Sequence, residues 1–149
     1  MVYICIGSNL GDREAQCLRA VELLERAGLR LLKTSRIYMT EPWGLTEQPP
    51  FANMAVEAET SLSPQELLAA LKDIERRMGR SPGPRWGPRV VDLDIIFYDS
   101  LVLDTPGLQI PHPLVQERRF VLEPLAEIAP GLVHPVLKKT VAQMLSELQ

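Results

Sequence analysis

Residues 90–98, VVDLDIIFY, most constrain what this chain can fold into: the run is β-branched and aromatic except for two aspartates two positions apart. It predicts a buried strand. Side chains at i and i+2 share a strand face, with Cα atoms about 6.5–7 Å apart. Asp92 and Asp94 are therefore expected on one face, and Leu93, Ile95 and Phe97 on the other, turned into a core. Two neighbouring carboxylates in an apolar strand repel each other and are costly to desolvate. A cation relieves both problems. The ligands on offer are oxygens, which suits Mg²⁺, an ion that takes one or two carboxylates and completes its shell with water and substrate phosphates. Arg85 and Arg89, just upstream, are fork-shaped donors matched to phosphate oxygens. The plainer alternative is a strand end whose two solvated aspartates pair with those arginines.

A chain of 149 residues is expected to form one domain, large enough to bury about two-thirds of its unfolded surface. Sixteen Lys and Arg against nineteen Asp and Glu give a net charge of -3. That argues against a nucleic-acid partner held by a broad basic surface. Any phosphate site must be a local cluster of arginines. Cys5 and Cys17 lack metal-ligand spacing or a disulfide framework and read as core residues in a reducing compartment. No apolar run approaches the roughly 20 residues of a membrane span, and a strand pattern at the N-terminus leaves no room for a signal peptide. A cytoplasmic, monomeric enzyme acting on small molecules is the expectation, with no membrane association.

Residues 2–8 (VYICIGS) read as a central strand ended by Gly7, Ser8 and Asn9. The following SNLGD supplies turn residues, a possible phosphate cradle and an N-cap. A helix over 13–27 is then expected, with Ala15, Leu18, Val21 or Leu23, Leu24 and Ala27 on its apolar side and Gly28 as its stop. Residues 29–39 read as a second strand and 51–60 as a third. Alternation in the third puts Ala52, Met54, Val56 and Ala58 on one face and Phe51, Asn53 and Ala55 on the other. Phe51 and Asn53 offer a ring to stack on and an amide to pair with a flat heterocycle; an exposed sheet face would also accommodate both.

The S-P-Q-E run at 63–66 is a capping box with proline at the first helical position. It opens a helix to residue 78 with Leu67, Leu71, Ile74 and Met78 buried. Loops rich in proline and glycine cover 40–51 and 79–91, the latter long enough in a compact domain to imply function. A short strand at 101–103, an extended TPGLQIPHP and short helices at 121–129 and 140–148 complete the chain. His134 reads as incidental.

The run W-G-P-R-x-x-D-L-D-I-I at 86–96 resembles the signature of the 6-hydroxymethyl-7,8-dihydropterin pyrophosphokinases, enzymes of the folate pathway. G-S-N-L near the N-terminus, T-x-P-x-G at 40–44, I-P-H-P at 110–113 and R-R-F at 118–120 are similar to that family as well. The resemblance implies ATP as co-substrate and two Mg²⁺ ions held by Asp92 and Asp94, with Arg80 and Arg89 joining those aspartates in catalysis. It implies a pterin site formed by Thr40, Pro42, Trp43, Phe51, Asn53, Trp86 and Phe120. It assigns the nucleotide to Lys72, Glu75, Arg80, Arg85, Trp86, Arg89, Ile95, His112 and Arg118. The pterin hydroxymethyl oxygen would attack the β-phosphorus of ATP, so that AMP leaves. Three departures stand out: Phe51 where some members have Tyr, Lys72 where a relative has Gln, and a loop before Trp86 one residue shorter with Pro82 in a basic position.

The element order β-α-β-β-α-β followed by short helices predicts an α+β fold. A ferredoxin-like α/β sandwich with a largely antiparallel sheet follows, because two connections are too short for crossover helices. Neither the P-loop motif nor the protein-kinase motifs occur. Two other classes remain at this level. A metal-dependent nucleotidyltransferase or nuclease would need a third carboxylate and a basic groove. A ferredoxin-like binding module without chemistry would leave Asp92, Asp94, Arg80, Arg89 and His112 with no joint purpose.

Overall fold

The computed structural model describes residues 1–9, 11–40, 51–79 and 91–148. Strand β1 (Val2–Ser8) lies inside the sheet, flanked antiparallel by β4 (Phe51–Glu59) and β5 (Asp92–Tyr98). β2 (Arg30–Thr34) pairs with β4, giving the order β2-β4-β1-β5, and β3 (Tyr38–Thr40) pairs with the start of β4. Helices α1 (Arg13–Arg26) and α2 (Pro64–Arg77) cover one face, and α3 (Arg119–Ile128) and α4 (Val141–Ser146) the other. This is the expected ferredoxin-like arrangement with antiparallel pairing throughout the described sheet.

Strand alternation sorts the side chains into two cores. Ile4, Ile6, Ala52, Met54, Val56, Leu93 and Ile95 meet Leu24, Leu67, Leu71 and Ile74 of the first helix pair. Tyr3, Cys5, Ala55 and Phe97 meet Val121, Leu122, Leu125 and Met144 of the second. Both long helices start as the sequence predicts: Asp12 accepts from the Ala15 N–H at 3.1 Å, and Ser63 and Glu66 form the reciprocal capping box. Gly28, at φ 99, stops α1 in a left-handed conformation open to glycine.

The structure corrects several expectations. The buried stripe of α1 is Cys17, Ala20, Leu23 and Leu24, while Ala15, Leu18 and Ala27 face solvent. Cys17 behaves as a small apolar residue, its thiol 3.7 Å from the Ala52 carbonyl. The second strand is two pieces. Between them Ser35 takes over the pairing, its hydroxyl accepting from Ala55 N at 2.9 Å and donating to Arg36 O at 2.7 Å. In β5, Ile4 opposes Ile95 but Tyr3 opposes Phe97, so Ile96 is an extra residue in the ladder. This bulge turns Phe97 away from Leu93 and Ile95 and into the second core, edge-on to Tyr3 with ring centroids 6.4 Å apart. The segment after β5 is a hairpin of β6 (Leu103–Thr105) and β7 (Leu108–Ile110), turned by Gly107 at φ 93. The helix expected at 121–129 begins earlier, at Arg119. By contrast, β1 has the bounds the sequence predicts, Val2–Ser8, with Gly7 and Ser8 inside the strand.

His134 is structural. It is buried, edge-on to Phe97 at 5.7 Å, and its Nδ1 accepts from Val136 N at 3.2 Å and Leu137 N at 3.1 Å. A proton on Nδ1 would break both bonds. Burial holds the imidazole below its ordinary 6.5, and His112 is depressed too, first by burial. As pH falls through the ordinary imidazole range, the unfolded chain therefore takes up protons that the folded chain refuses, and stability drops. Denaturant unfolding at pH 7.5 and 5.5 is expected to show a lower midpoint at the acid value, with the gap narrowed in His134→Asn. Identical midpoints at both pH values would contradict this reading.

Candidate active site

The strand register brings the polar groups together. Tyr38 opposes Asn53, Asn53 opposes Gly7, and Gly7 opposes Asp92, one row across four strands. The next row on the same face is Ala55, Cys5 and Asp94. Asp92 and Asp94 thus share a face as the sequence predicts, and Phe51, two before Asn53, shares it as well. Gly7 puts no side chain between the amide and Asp92, while Cys5 and Ala55 of the next row are buried in the second core. Burial raises the Cys5 thiol far above its ordinary range, and the neighbouring Asp94 carboxylate adds to the rise. That thiol stays protonated and acts as a small core residue.

The outer edge of β5 is closed by two groups from elsewhere in the chain. The buried Glu75 carboxylate accepts from the Leu93 N–H at 2.9 Å, and the His112 N–H donates to the Ile96 carbonyl at 3.0 Å. Leu93 stands between the two aspartates, so Glu75 holds the backbone that presents them. Lys72 lies 3.8 Å from the other Glu75 oxygen. Beside this edge is a cleft of about 440 Å³, lined by Lys72, Asp94, Ile95, Gln109 and His112 among others. His112 is held below 6.5 by burial, with Asp94 pulling it up and Arg118 pushing it further down. Its Nδ1 accepts from Leu114 N at 3.2 Å. The neutral imidazole therefore carries its proton on Nε2 and is a hydrogen-bond donor.

Phe120 in the first turn of α3 packs half-buried against the second core, with the Arg118 guanidinium 5.5 Å from its ring centre. The far end of α3 is tied to β3. Glu127 accepts from the Tyr38 hydroxyl at 2.7 Å and from the Arg36 N–H at 3.1 Å, and pairs with the Arg36 guanidinium at 3.3 Å. Arg119, to which the sequence assigns no task, pairs with Glu123 and reaches the Leu148 carbonyl.

Of the residues expected at the site, Arg80, Arg85, Trp86, Arg89, Pro42 and Trp43 lie outside the described residues, as does the side chain of Thr40. The structure brings Phe51, Asn53, Asp92 and Asp94 onto one face, and Lys72, Ile95 and His112 into the adjoining cleft. Sequence reasoning misses Gln109, Thr105 and Leu108, which line that cleft from the β6–β7 hairpin. The P-G pair at 106–107 is the signal for a hairpin there. Among the described residues no cluster of three or more His, Cys, Asp or Glu side chains could hold a metal. The two carboxylates fit an ion that draws its remaining ligands from water and phosphate, as Mg²⁺ does.

An antiparallel α+β sandwich that carries two aspartates on one strand face, Asp94 bordering a cleft, is an arrangement suited to an enzyme that handles phosphates. The model of the family described as 7,8-dihydro-6-hydroxymethylpterin-pyrophosphokinase (HPPK) matches residues 3–130, and the chain belongs to that family. It is a pyrophosphokinase, a transferase of folate biosynthesis that moves pyrophosphate to hydroxymethyldihydropterin. A 2-amino-4-hydroxy-6-hydroxymethyldihydropteridine pyrophosphokinase of Aquifex aeolicus is 41% identical over 146 residues, covering 98% of this chain and 91% of the relative. The Bacillus subtilis protein of the same name is 49% identical over 129 residues, 86% of this chain and 77% of its own. A folic acid synthesis protein of Pneumocystis carinii is 43% identical over 99% of this chain, which spans only 20% of that longer protein. In fold, the chain is similar to a Plasmodium falciparum HPPK-DHPS structure with pteroate, at a TM-score of 0.79 and 17% identity, over 98% of this chain and 42% of the other.

Proposed function

We propose that hydroxymethyldihydropterin lies over Gly7 between Asn53 and Asp92, its ring between Phe51 and Phe120, and takes the β,γ-pyrophosphoryl unit of ATP. The observation that carries this is the register row. Asn53 and Asp92 stand two strand spacings apart, about 10 Å, with only Gly7 between them. An amide that pairs with the polar edge of a bicyclic ring at one end leaves the hydroxymethyl arm at the other, beside the two aspartates.

The adjoining cleft suits the nucleotide. Its volume of about 440 Å³ falls in the range of small-molecule sites. Neutral His112 donates from Nε2 to a phosphate oxygen, and Arg118 neutralises charge on the same side. Arg80, Arg85 and Arg89 add guanidinium forks, and Trp86 a ring, as the family signature implies. Lys72, Glu75 and Ile95 line or brace the nucleotide side, and the family resemblance assigns Thr40, Pro42 and Trp43 to the pterin. Asp92 and Asp94 would hold the Mg²⁺ ions, two in number, which supply charge neutralisation and alignment to the phosphates when bound.

The hydroxymethyl O–H bond breaks as its oxygen bonds to the β-phosphorus, the proton passes to the aspartate side of the site, and the bond from the β-phosphorus to the α,β-bridging oxygen breaks. Positioning and charge stabilisation carry most of the rate. Two buried free cysteines fit a cytoplasmic setting, and we place the protein there as a monomer of one domain. Phosphorus NMR of a reaction with ATP, Mg²⁺ and 6-hydroxymethyl-7,8-dihydropterin is expected to show AMP forming in step with the pterin diphosphate. Stoichiometric ADP would overturn the mechanism.

A further inference from the structure

We propose that Gly7 is a positioning residue for pterin recognition: its missing side chain is the space that holds the Asn53 amide in its reading position. The inference rests on the assignment of Asn53 to the heterocycle made above.

Glycine is a poor choice for the interior of a strand paired on both sides, where it costs conformational entropy and packs nothing. Gly7 is paired on both sides, with Asn53 and with Asp92. A Cβ added there would meet Asn53 Oδ1 at 2.9 Å, Phe51 Cδ1 at 3.8 Å and the Ala52 carbonyl oxygen at 3.9 Å. The last two are ordinary contacts; the first is one that real Cβ atoms essentially never make. An alanine at position 7 thus leaves the backbone contacts ordinary and forces the amide to shift. Asn53 is 3% exposed, so its side chain has little room to move without turning away from where it now points. The cost of Gly7→Ala falls on the amide that reads the ligand, and the sheet is left intact.

Four proteins test this: wild type, Gly7→Ala, Asn53→Ala and the double variant. Each is titrated with 6-hydroxymethylpterin in saturating non-hydrolysable ATP analogue and Mg²⁺, and separately with the analogue alone. Gly7→Ala is expected to weaken pterin binding at least about tenfold, the size of one lost buried hydrogen bond, and to change analogue binding less than about twofold. In turnover the loss falls on the pterin KM more than on kcat. Because Gly7 acts through Asn53, the double variant should bind pterin no more weakly than Asn53→Ala alone.

Wild-type pterin binding by Gly7→Ala, or losses that add in the double variant, would overturn the inference while Asn53 keeps its role. Wild-type binding by Asn53→Ala would instead remove the reading on which the inference rests. Should Gly7→Ala fail to fold, the double variant, which lacks the clashing amide, is expected to fold and melt near Asn53→Ala. A double variant that also fails to fold would place the defect in the strand and overturn the proposal.

Discussion

Asp94→Ala is expected to lower turnover by about a thousandfold or more, with the fold and pterin binding largely retained. The two halves of that expectation have separate causes. Asp94 is exposed on β5 and borders the nucleotide cleft together with Lys72 and His112. Removing an exposed carboxylate leaves no buried group unpaired, so stability should shift by no more than about 0.5 kcal/mol. Its neighbours are electrostatically tuned to it, since its charge raises both the Cys5 thiol and the His112 imidazole. On the proposed reading Asp94 would, with Asp92, hold a cation that supplies transition-state charge stabilisation, and losing one such contribution costs several kcal/mol of barrier. Single-turnover rates with melting temperatures alongside decide it. Near-normal turnover in a folded Asp94→Ala would remove this aspartate from the reacting centre.

Local pattern makes much of this fold legible, and non-local pairing hides the rest. The strict alternation of β4 sorts Ala52, Met54, Val56 and Ala58 from Phe51, Asn53 and Ala55, because each step follows from the two-residue period. Asp92 and Asp94 fall on one face for the same reason. Alternation misplaces Phe97, since the bulge at Ile96 is set by how β1 pairs with β5, and no window within β5 reports that. The break at Ser35 depends on a hydroxyl that finds the Ala55 N–H twenty residues away in sequence.

The site divides along the same line. Chemistry-bearing residues are visible as a motif, whereas Gly7, Tyr38 and Glu127 acquire a place only through register or through a contact between β3 and α3. Leu18 and Cys17 show a smaller version of the problem. Hydropathy favours Leu18 as the inward residue, whereas in α1 it is Cys17 that turns inward, its thiol against the Ala52 carbonyl.

Glu75→Ala is expected to destabilise the protein by about 1–3 kcal/mol, the cost of a buried donor left without its acceptor, and to cut turnover by about a hundredfold. The family resemblance brings Glu75 to the nucleotide; the structure gives it a structural task as well. β5 is the edge of its sheet, and an edge strand presents backbone N–H groups that need partners. Glu75 Oε2 takes the one at Leu93, in a buried bond of 2.9 Å between the two aspartate positions. Without it, the backbone that spaces Asp92 from Asp94 is held from the β1 side alone. A misplacement of about 1 Å at a reacting centre is enough for a hundredfold loss.

Glu75→Gln separates the brace from the charge, because an amide oxygen still accepts from Leu93. Urea unfolding should return most of the lost stability in the Gln variant, and steady-state turnover should recover in parallel if the brace is what the reaction needs. Recovery of stability without turnover would assign the negative charge to the nucleotide side, beside Lys72 at 3.8 Å. A Glu75→Ala protein as stable as the wild type would mean that the Leu93 contact holds nothing, and the account of how this strand presents its aspartates would fail with it.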